Sequence, residues 1–422
     1  MGGHFVDLFP RDGQFHWRLI PFILIWAAFA IVFLIWLLLT VFVPDPRKPR
    51  PSEKTFTTVD RTGDVTDPEP LPCWYDGILR KYVKAREEEK EIELEKEIEP
   101  AELFMTLVVP AFNEENRLTG MLEEAVNFLE TEYGSTATAS ADGETTIPEK
   151  SVNSEGPTTR RRKANGTTTD SASPDPPGPR GWEILLVDDG STDDTILTAQ
   201  TFSRKHILPK KPRRDSGPWT HRCETGVKIP PGSIRMISLE ENRGKGGAVT
   251  HGMRHARGQY VVFADADGAS KFSDLDKLVR ACREVEDSGG RGVAVGSRAH
   301  LVDSEAVVKR STLRNFLMHS FHLLLKFMTP PQTARIKDTQ CGFKLFSRPT
   351  LPYIVPHMHM DGWIFDVEML MLAEFAGIPV VEVPVGWREV VGSKLNVLRD
   401  SIGMAIGLAV LRVCWGTGIY RR

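Results

Sequence analysis

Residues 182–195 read Trp-Glu-Ile-Leu-Leu-Val-Asp-Asp-Gly-Ser-Thr-Asp-Asp-Thr. A short apolar run over Trp182 to Val187 has the character of a buried strand. It stops at two carboxylates, then at a glycine and a group of helix-capping residues. Strand, acidic turn, helix is the unit from which parallel α/β sheets are built. The unit recurs on both sides. Phe104 to Pro110 is a second apolar run, with a helix near Arg117 to Tyr133. After 182–187 a helix is predicted from about Thr192 to His206. Strands are predicted at Ile234 to Leu239, Tyr260 to Ala264 and Val293 to Val295. Helices are predicted at Gly247 to Ala256 and Asp274 to Glu286. The alternation predicts an α/β fold with a mostly parallel sheet flanked by helices. Ligands of such sheets bind at the carboxyl ends of the strands.

The chain has 422 residues, enough for one large α/β domain with appendages. Its 41% apolar and 26% charged residues are ordinary for a folded protein. A net charge of −3 gives no basic surface for neutralising phosphates, so no nucleic-acid partner is expected. The five cysteines form no C-x-x-C pair. An odd, scattered set argues against a disulfide framework or a zinc site and fits a reducing compartment.

Around the core, the chain divides by composition. After a short segment, 1–18, residues 19–43 carry no charge. As a helix they would extend roughly 37 Å, against a hydrocarbon core of about 30 Å, which predicts a transmembrane helix. A cleavable signal peptide is the competing assignment. Its apolar run would be shorter and end in small residues, whereas this one ends at Phe42-Val43-Pro44, as in an uncleaved signal-anchor. Arg47, Lys48, Arg50 and Lys54 follow the run, and Arg11 and Arg18 precede it. That excess places the C-terminal side in the cytosol. Residues 44–100 read as a tether, Pro44 to Pro72, and an exposed Glu/Lys helix, 84–99. The main domain is expected over 101–398, broken by a polar, disordered insertion at 134–180. Asn165-Gly166-Thr167 inside it is a glycosylation sequon, idle on a cytosolic segment. A final segment, 399–422, is either amphipathic and interfacial or a packed core helix.

Chemistry concentrates at predicted strand ends. Asp265-Ala266-Asp267 follows the strand 260–264. Two carboxylates one residue apart suit a hard divalent cation such as Mg²⁺ or Mn²⁺, which bridges substrate phosphates. Such an ion stabilises a departing diphosphate. Alone, the pair also fits an ordinary turn. Asp188 and Asp189 close another strand, where Asp binds ribose hydroxyls or a base N–H, and a neighbour caps the next helix. Pro110 and Phe112 with Asn113 and Glu114 offer a nucleobase wall or simply a polar loop entering a helix. Asn242-Arg243-Gly244-Lys245-Gly246-Gly247 suits a phosphate at a helix N-terminus, although its spacing is not that of a P-loop.

Together these motifs resemble the family 2 glycosyltransferases, whose fold is of the GT-A type. The matches are 109–114, 188–195 and 265–267, in the right order, and the likeness runs from about Leu103 to Leu398. It implies that Pro110, Phe112, Asn113, Glu114, Asp188, Asp189, Lys245, Asp265 and Ala266 hold the donor, and that Asp265 and Asp267 hold the metal. A narrower match covers Asn-Arg-Gly-Lys-Gly-Gly-Ala-Val (242–249), Gly-Ser-Arg (296–298), Asp-Thr-Gln-Cys-Gly-Phe-Lys-Leu-Phe (338–346), Trp-Ile-Phe-Asp-Val-Glu (363–368) and Arg-Glu-Val-Val-Gly-Ser-Lys-Leu (388–395). It resembles the dolichyl-phosphate β-glucosyltransferases, single-span enzymes of the endoplasmic reticulum membrane that use UDP-glucose and serve protein N-glycosylation. In sister mannosyltransferases a Gln two residues past the acidic pair joins the metal; here that place is Ala269.

The resemblance implies transfer of glucose, with inversion, from UDP-glucose to dolichyl phosphate. Such an acceptor needs positive charge near it, for which Arg298, Arg314, Arg388 and Lys394 are the candidates. Asp366 sits where related enzymes carry an acid near the acceptor, which, with Asp265 and Asp267, implies a catalytic residue, in its case one that orients. The rivals are a mannosyltransferase using GDP-mannose and a non-catalytic nucleotide-sugar scaffold. A polysaccharide synthase is disfavoured because Q-x-x-R-W and multiple spans are missing from the sequence.

Overall fold

The protein is described from a computed structural model, over residues 20–43, 47–88, 98–134, 179–207, 227–301, 320–321, 323–390 and 397–420. Its central sheet is built on β3 (Leu103–Ala111), whose apolar run is flanked in parallel by β4 (Trp182–Asp188) and β6 (Gly258–Ala264). All seven residues of β4 are buried. Each large aliphatic side chain so placed stabilises the fold by roughly 1.5–3 kcal/mol, which explains the lack of polar alternation. β5 (Ile234–Ser238) extends the sheet beyond β4 in parallel. On the other side the order is β6, β8 (Phe343–Ser347), β7 (Val293–Ser297), β9 (Val380–Pro384). β8 runs antiparallel to both neighbours, and β7 and β9 pair in parallel. The expected mostly parallel sheet flanked by helices is present, with one reversed strand that the sequence did not announce.

Helices cover both faces. α3 (Leu118–Tyr133), α4 (Thr195–Ile207) and α6 (Leu275–Val285) pack on one face through Leu122, Phe202 and Leu278. α5 (Lys245–Arg254) and the helix Phe365–Phe375 pack on the other through Val249, Phe365 and Met369.

Of the tether expected over 44–72, the described residues 47–72 form a docked strap instead. Phe56 and Val59 are buried, and Thr57 bridges Met236 on the edge of β5. The short strands β1 (Thr55–Phe56) and β2 (Glu69–Pro70) pair antiparallel. α2 (Trp74–Glu87) then buries Trp74 and Ile78. The proline-rich composition suggests a free linker, but the anchoring side chains are spaced irregularly and leave no periodic signal. Of the expected Glu/Lys helix 84–99, residues 89–97 lie outside the described residues. So does the insertion, apart from Gly134 and residues 179–180.

A helix, α1 (Ile20–Phe42), forms within the expected 19–43. Its crossing of a membrane is not shown. Side chains are described continuously only over 20–34, and among the described residues no helix is long and apolar enough to cross a membrane. The helix Val397–Thr417 packs Leu408, Leu411 and Cys414 against Phe321, Leu325 and Ile364. Its other side leaves Ile402 and Ile406 exposed.

Candidate active site

The loops leaving β3, β4, β5 and β6 at their carboxyl ends meet along one edge. The first two are clasped together. Asn113, with φ 53°, accepts a bond from the Thr192 N–H at 2.7 Å on its side-chain oxygen. Its own N–H donates to Ser191 Oγ at 2.8 Å. Asp193 accepts from the Thr195 N–H at 3.1 Å, at the start of α4, and from Glu115 N–H at 3.2 Å. Asn113 and Asp193 therefore fix the loops. Phe112 stands partly exposed on the rim beside the half-buried Pro110.

Asp188 is buried and accepts from the Ser191 N–H at 3.3 Å, a turn-holding role. Asp189 reaches across to the loop after β5. Its two oxygens accept from the N–H groups of Arg243 (2.7 Å) and Gly244 (2.8 Å). Gly244 has φ 86°, and a Cβ there would stand 2.7 Å from the Asp361 carbonyl oxygen; only glycine fits both demands. Burial pushes Asp189 up to about 6, against the pull of those two N–H groups.

Lys245 opens α5 and puts its ammonium 2.5 Å from Asp265. Burial alone would lower its pKa; the nearby Asp265, Asp366 and Asp267 hold it above the ordinary value instead. Asp265 lies over Gly342, which admits it because it has no Cβ; one there would fall 2.1 Å from Asp265 Oδ2. Asp267 accepts from the Ala269 N–H at 3.0 Å. Burial, and then the charge of Asp265, raise its pKa. Ala266 between them is buried. Arg117 stands behind, bound through two nitrogens to Glu114 (2.7 and 2.6 Å) and 3.9 Å from Asp267. Glu114, expected at the nucleobase, is thus also a partner of Arg117.

Asp366, expected near the acceptor, lies below Lys245 and Asp265. It is 2% exposed and pairs with Lys344, itself fully buried on β8. Lys344 also donates to the Cys341 carbonyl at 2.7 Å. Burial raises the Asp366 pKa against the pull of Lys344 and Lys245. Asp366 supports the floor of the site through Lys344. Arg298 is locked to Asp338 by two side-chain bonds, 2.7 and 2.8 Å, and lies over the Trp387 ring. Arg388 joins the acidic loop through its backbone, its N–H donating to Ala269 O at 2.9 Å. Arg314 and Lys394 lie outside the described residues.

Sequence reasoning missed Arg117, Asp338 and Lys344. Asp338 and Lys344 both stand in the motif 338–346 without a role assigned there, and Lys344 left a further signal, a lysine flanked by Phe343 and Leu345 in an apolar run.

The donor set fits a hard cation only in part by itself. Among the described residues no three His, Cys, Asp or Glu side chains converge as a cage. Asp265 and Asp267 are two partly exposed carboxylates just past the carboxyl end of β6, with side-chain exposures of 36% and 28%. That suits an ion such as Mg²⁺, which keeps waters and takes substrate phosphate oxygens for the rest of its shell.

The family described as glycosyl transferase family 2 matches residues 223–349. The chain is 35% identical over 398 residues to the dolichyl-phosphate beta-glucosyltransferase of Saccharomyces cerevisiae, covering 93% of this chain and 92% of that one. It is 36% identical to the Drosophila melanogaster protein of that name, covering 76% and 77%. A solved structure of glucosyl-3-phosphoglycerate synthase from Mycobacterium tuberculosis with Mg²⁺ and UDP aligns at 15% identity. Its TM-score is 0.41, covering 74% of this chain and 79% of that one.

Proposed function

The chain belongs to the dolichyl-phosphate β-glucosyltransferase family, and from that premise we propose that it transfers glucose from UDP-glucose to dolichyl phosphate, releasing UDP. One observation carries the site assignment. Three segments distant in sequence bring Asp189, Lys245, Asp265 and Asp267 to the carboxyl edge of one sheet, with the Lys245 ammonium against Asp265.

Phe112 and Pro110 offer the nucleobase an apolar edge, and Asp189 beside them accepts from the nucleoside. Asp265 and Asp267 would hold Mg²⁺ or Mn²⁺. When bound, that ion supplies Lewis-acid stabilisation of the departing diphosphate. Lys245 places a fixed positive charge at the same point. The acceptor phosphate has a second pKa of about 6 and is largely dianionic at neutral pH, so it requires no strong base. This agrees with Asp366 being buried against Lys344: it keeps Lys245 and Asp265 aligned and takes no proton. Arg298, with Asp338 holding two of its nitrogens, offers its remaining edge to the approaching phosphate. Attack opposite the leaving UDP converts an α-linked donor into a β-linked product.

Membranes containing the protein should convert labelled UDP-glucose and dolichyl phosphate to a labelled glucolipid, and a chelator should abolish it. Asp265→Asn should lower kcat by about 10²–10³-fold, the scale of losing a principal electrostatic stabiliser. Transfer from GDP-mannose in preference to UDP-glucose would overturn the donor assignment.

The acceptor is a membrane lipid, and the proposal extends to α1 as a single span of the endoplasmic reticulum membrane with the catalytic domain in the cytosol. In support, α1 has 23 residues without a charge, about 35 Å of helix. Basic residues are in excess on its C-terminal side, although Arg47 and Arg50 are paired with Glu241 and Glu240. In sealed microsomes Asn165 should remain without glycan; a glycan there would reverse the topology.

A further inference from the structure

Glu53 is a carboxylate on the strap, 1% exposed, which the chemistry above does not use. Its oxygens accept from the N–H of Arg50 at 2.8 Å, the N–H of Glu240 at 3.2 Å and Arg243 Nη2 at 2.5 Å. Its own carbonyl lies 2.8 Å from His251 Nε2 on α5. The Arg243 guanidinium also donates to the carbonyls of Arg47 and Lys48, both at 3.2 Å. One residue thus faces two ways. The Arg243 side chain is gripped by the strap, while its N–H and that of Gly244 hold the two oxygens of Asp189. Asn242 adds a bond from its side chain to the Asp189 carbonyl at 3.0 Å.

The energetics separate two kinds of strap contact. Arg47 and Arg50 pair with Glu241 and Glu240 at side chains roughly half exposed, where an ion pair contributes little. The Arg243–Glu53 pair has side-chain exposures of 7% and 2%. Removing one partner there leaves an uncompensated buried charge. The next residue, Gly244, has a positive φ and no side chain of its own to hold the loop.

We propose that Glu53 is a positioning residue for donor binding: through Arg243 it holds the loop Asn242–Gly244 closed on Asp189, so that nucleotide affinity depends on the docked strap. The proposal rests on the assignment of Asp189 to the donor nucleoside. It ties the segment that emerges from α1 to the nucleotide end of the site.

The test uses the full chain in detergent or lipid discs, with UDP-glucose binding by calorimetry alongside steady-state kinetics. Glu53→Gln keeps the shape and removes the charge. It should raise Kd and KM for UDP-glucose about tenfold, a coupling of ordinary size. The kcat should stay within about twofold and KM for dolichyl phosphate should not move. A merely structural loss would lower kcat through the folded fraction and leave KM unchanged, and that result overturns the proposal. Arg50→Ala, which removes only exposed pairs, should change Kd less than about twofold. Asp189→Asn separates the two failures. If it leaves UDP-glucose affinity intact, the donor assignment itself falls. If it weakens binding while Glu53→Gln does not, the strap proposal alone falls. Should Glu53→Gln not accumulate as folded protein, Arg243→Lys keeps the charge but loses the forked reach. It should then weaken UDP-glucose binding roughly threefold; unchanged affinity would sink the idea.

Discussion

Asp189 is a carboxylate whose burial pushes its pKa up to about 6 while two N–H groups hold it in place. The sign of its pH dependence follows. Above about 6 the group is ionised and accepts hydrogen bonds from the loop and, on the proposed assignment, from a nucleoside. Below, protonation removes part of that capacity, so donor binding should weaken as pH falls. Turnover is a poor probe, because the acceptor phosphomonoester titrates at about the same pH. UDP-glucose carries no such monoester, so its Kd isolates the protein. We expect Kd to rise several-fold between pH 7 and pH 5, and the rise to vanish in Asp189→Asn. A flat Kd in the wild type would remove Asp189 from the donor contacts. At this scale the site was legible where chemistry and chain geometry coincide. Asp189, Asp265 and Asp267 each follow an apolar run, and strand ends announce themselves. Arg117, Asp338 and Lys344 act through partners 3, 40 and 22 residues away. The two longer separations carry no local pattern, and Arg117 at helix spacing from Glu114 looked like any surface arginine.

Among the elements, α5 does the most to place the site, because Lys245 is its first residue and Gly244 its cap. Its closeness to the sheet depends on Gly252. A Cβ there would stand 2.5 Å from Val108 Cγ1 and 3.0 Å from Val187 Cγ2. Val108 is fully buried on the central strand and has nowhere to move. Gly252→Ala gains about 1 kcal/mol of helix propensity but incurs overpacking of about 1–3 kcal/mol. With a rigid neighbour the second effect should win. A lower melting temperature and weaker UDP-glucose binding are expected as α5 lifts and carries Lys245 with it. Adding Val108→Ala should recover about 1 kcal/mol relative to the sum of the single changes; strict additivity would show that the contact does not govern the helix position. The same elements show what periodicity can reveal. β3 to β7 were read closely because their apolar runs are bounded by turns. β8 enters only through the motif 338–346 and β9 is not predicted, and nothing in Phe343 to Ser347 states that the strand runs backwards between β6 and β7. The strap failed for another reason: its burial comes from Glu53, Phe56 and Val59 meeting distant surfaces, and proline-rich composition hid them.

Over the whole molecule the catalytic domain behaves as if the insertion were an excursion from one point. α3 ends at Tyr133 and β4 begins at Trp182, yet the Gly181 N–H donates to the Tyr133 carbonyl at 3.0 Å. The Trp182 indole donates to Glu130 at 2.8 Å, closing the same junction. Two chain ends already in contact need only a short turn between them. Closing a long loop costs only slowly more than closing a short one, about 0.6 kcal/mol per doubling of length. Removing residues 135–178 and joining the ends with a few Gly/Ser residues should therefore stabilise the domain slightly or leave it unchanged. kcat and both KM values should stay within about twofold, because every catalytic and donor-binding group assigned above lies outside 135–178. The measurements are glucolipid synthesis and melting temperature of the shortened chain beside the full one. A large loss of activity with an unchanged melting temperature would mean that the insertion takes part in acceptor capture. A fall in both would mean that the junction at Tyr133 and Gly181 is held by the segment it was thought merely to bracket.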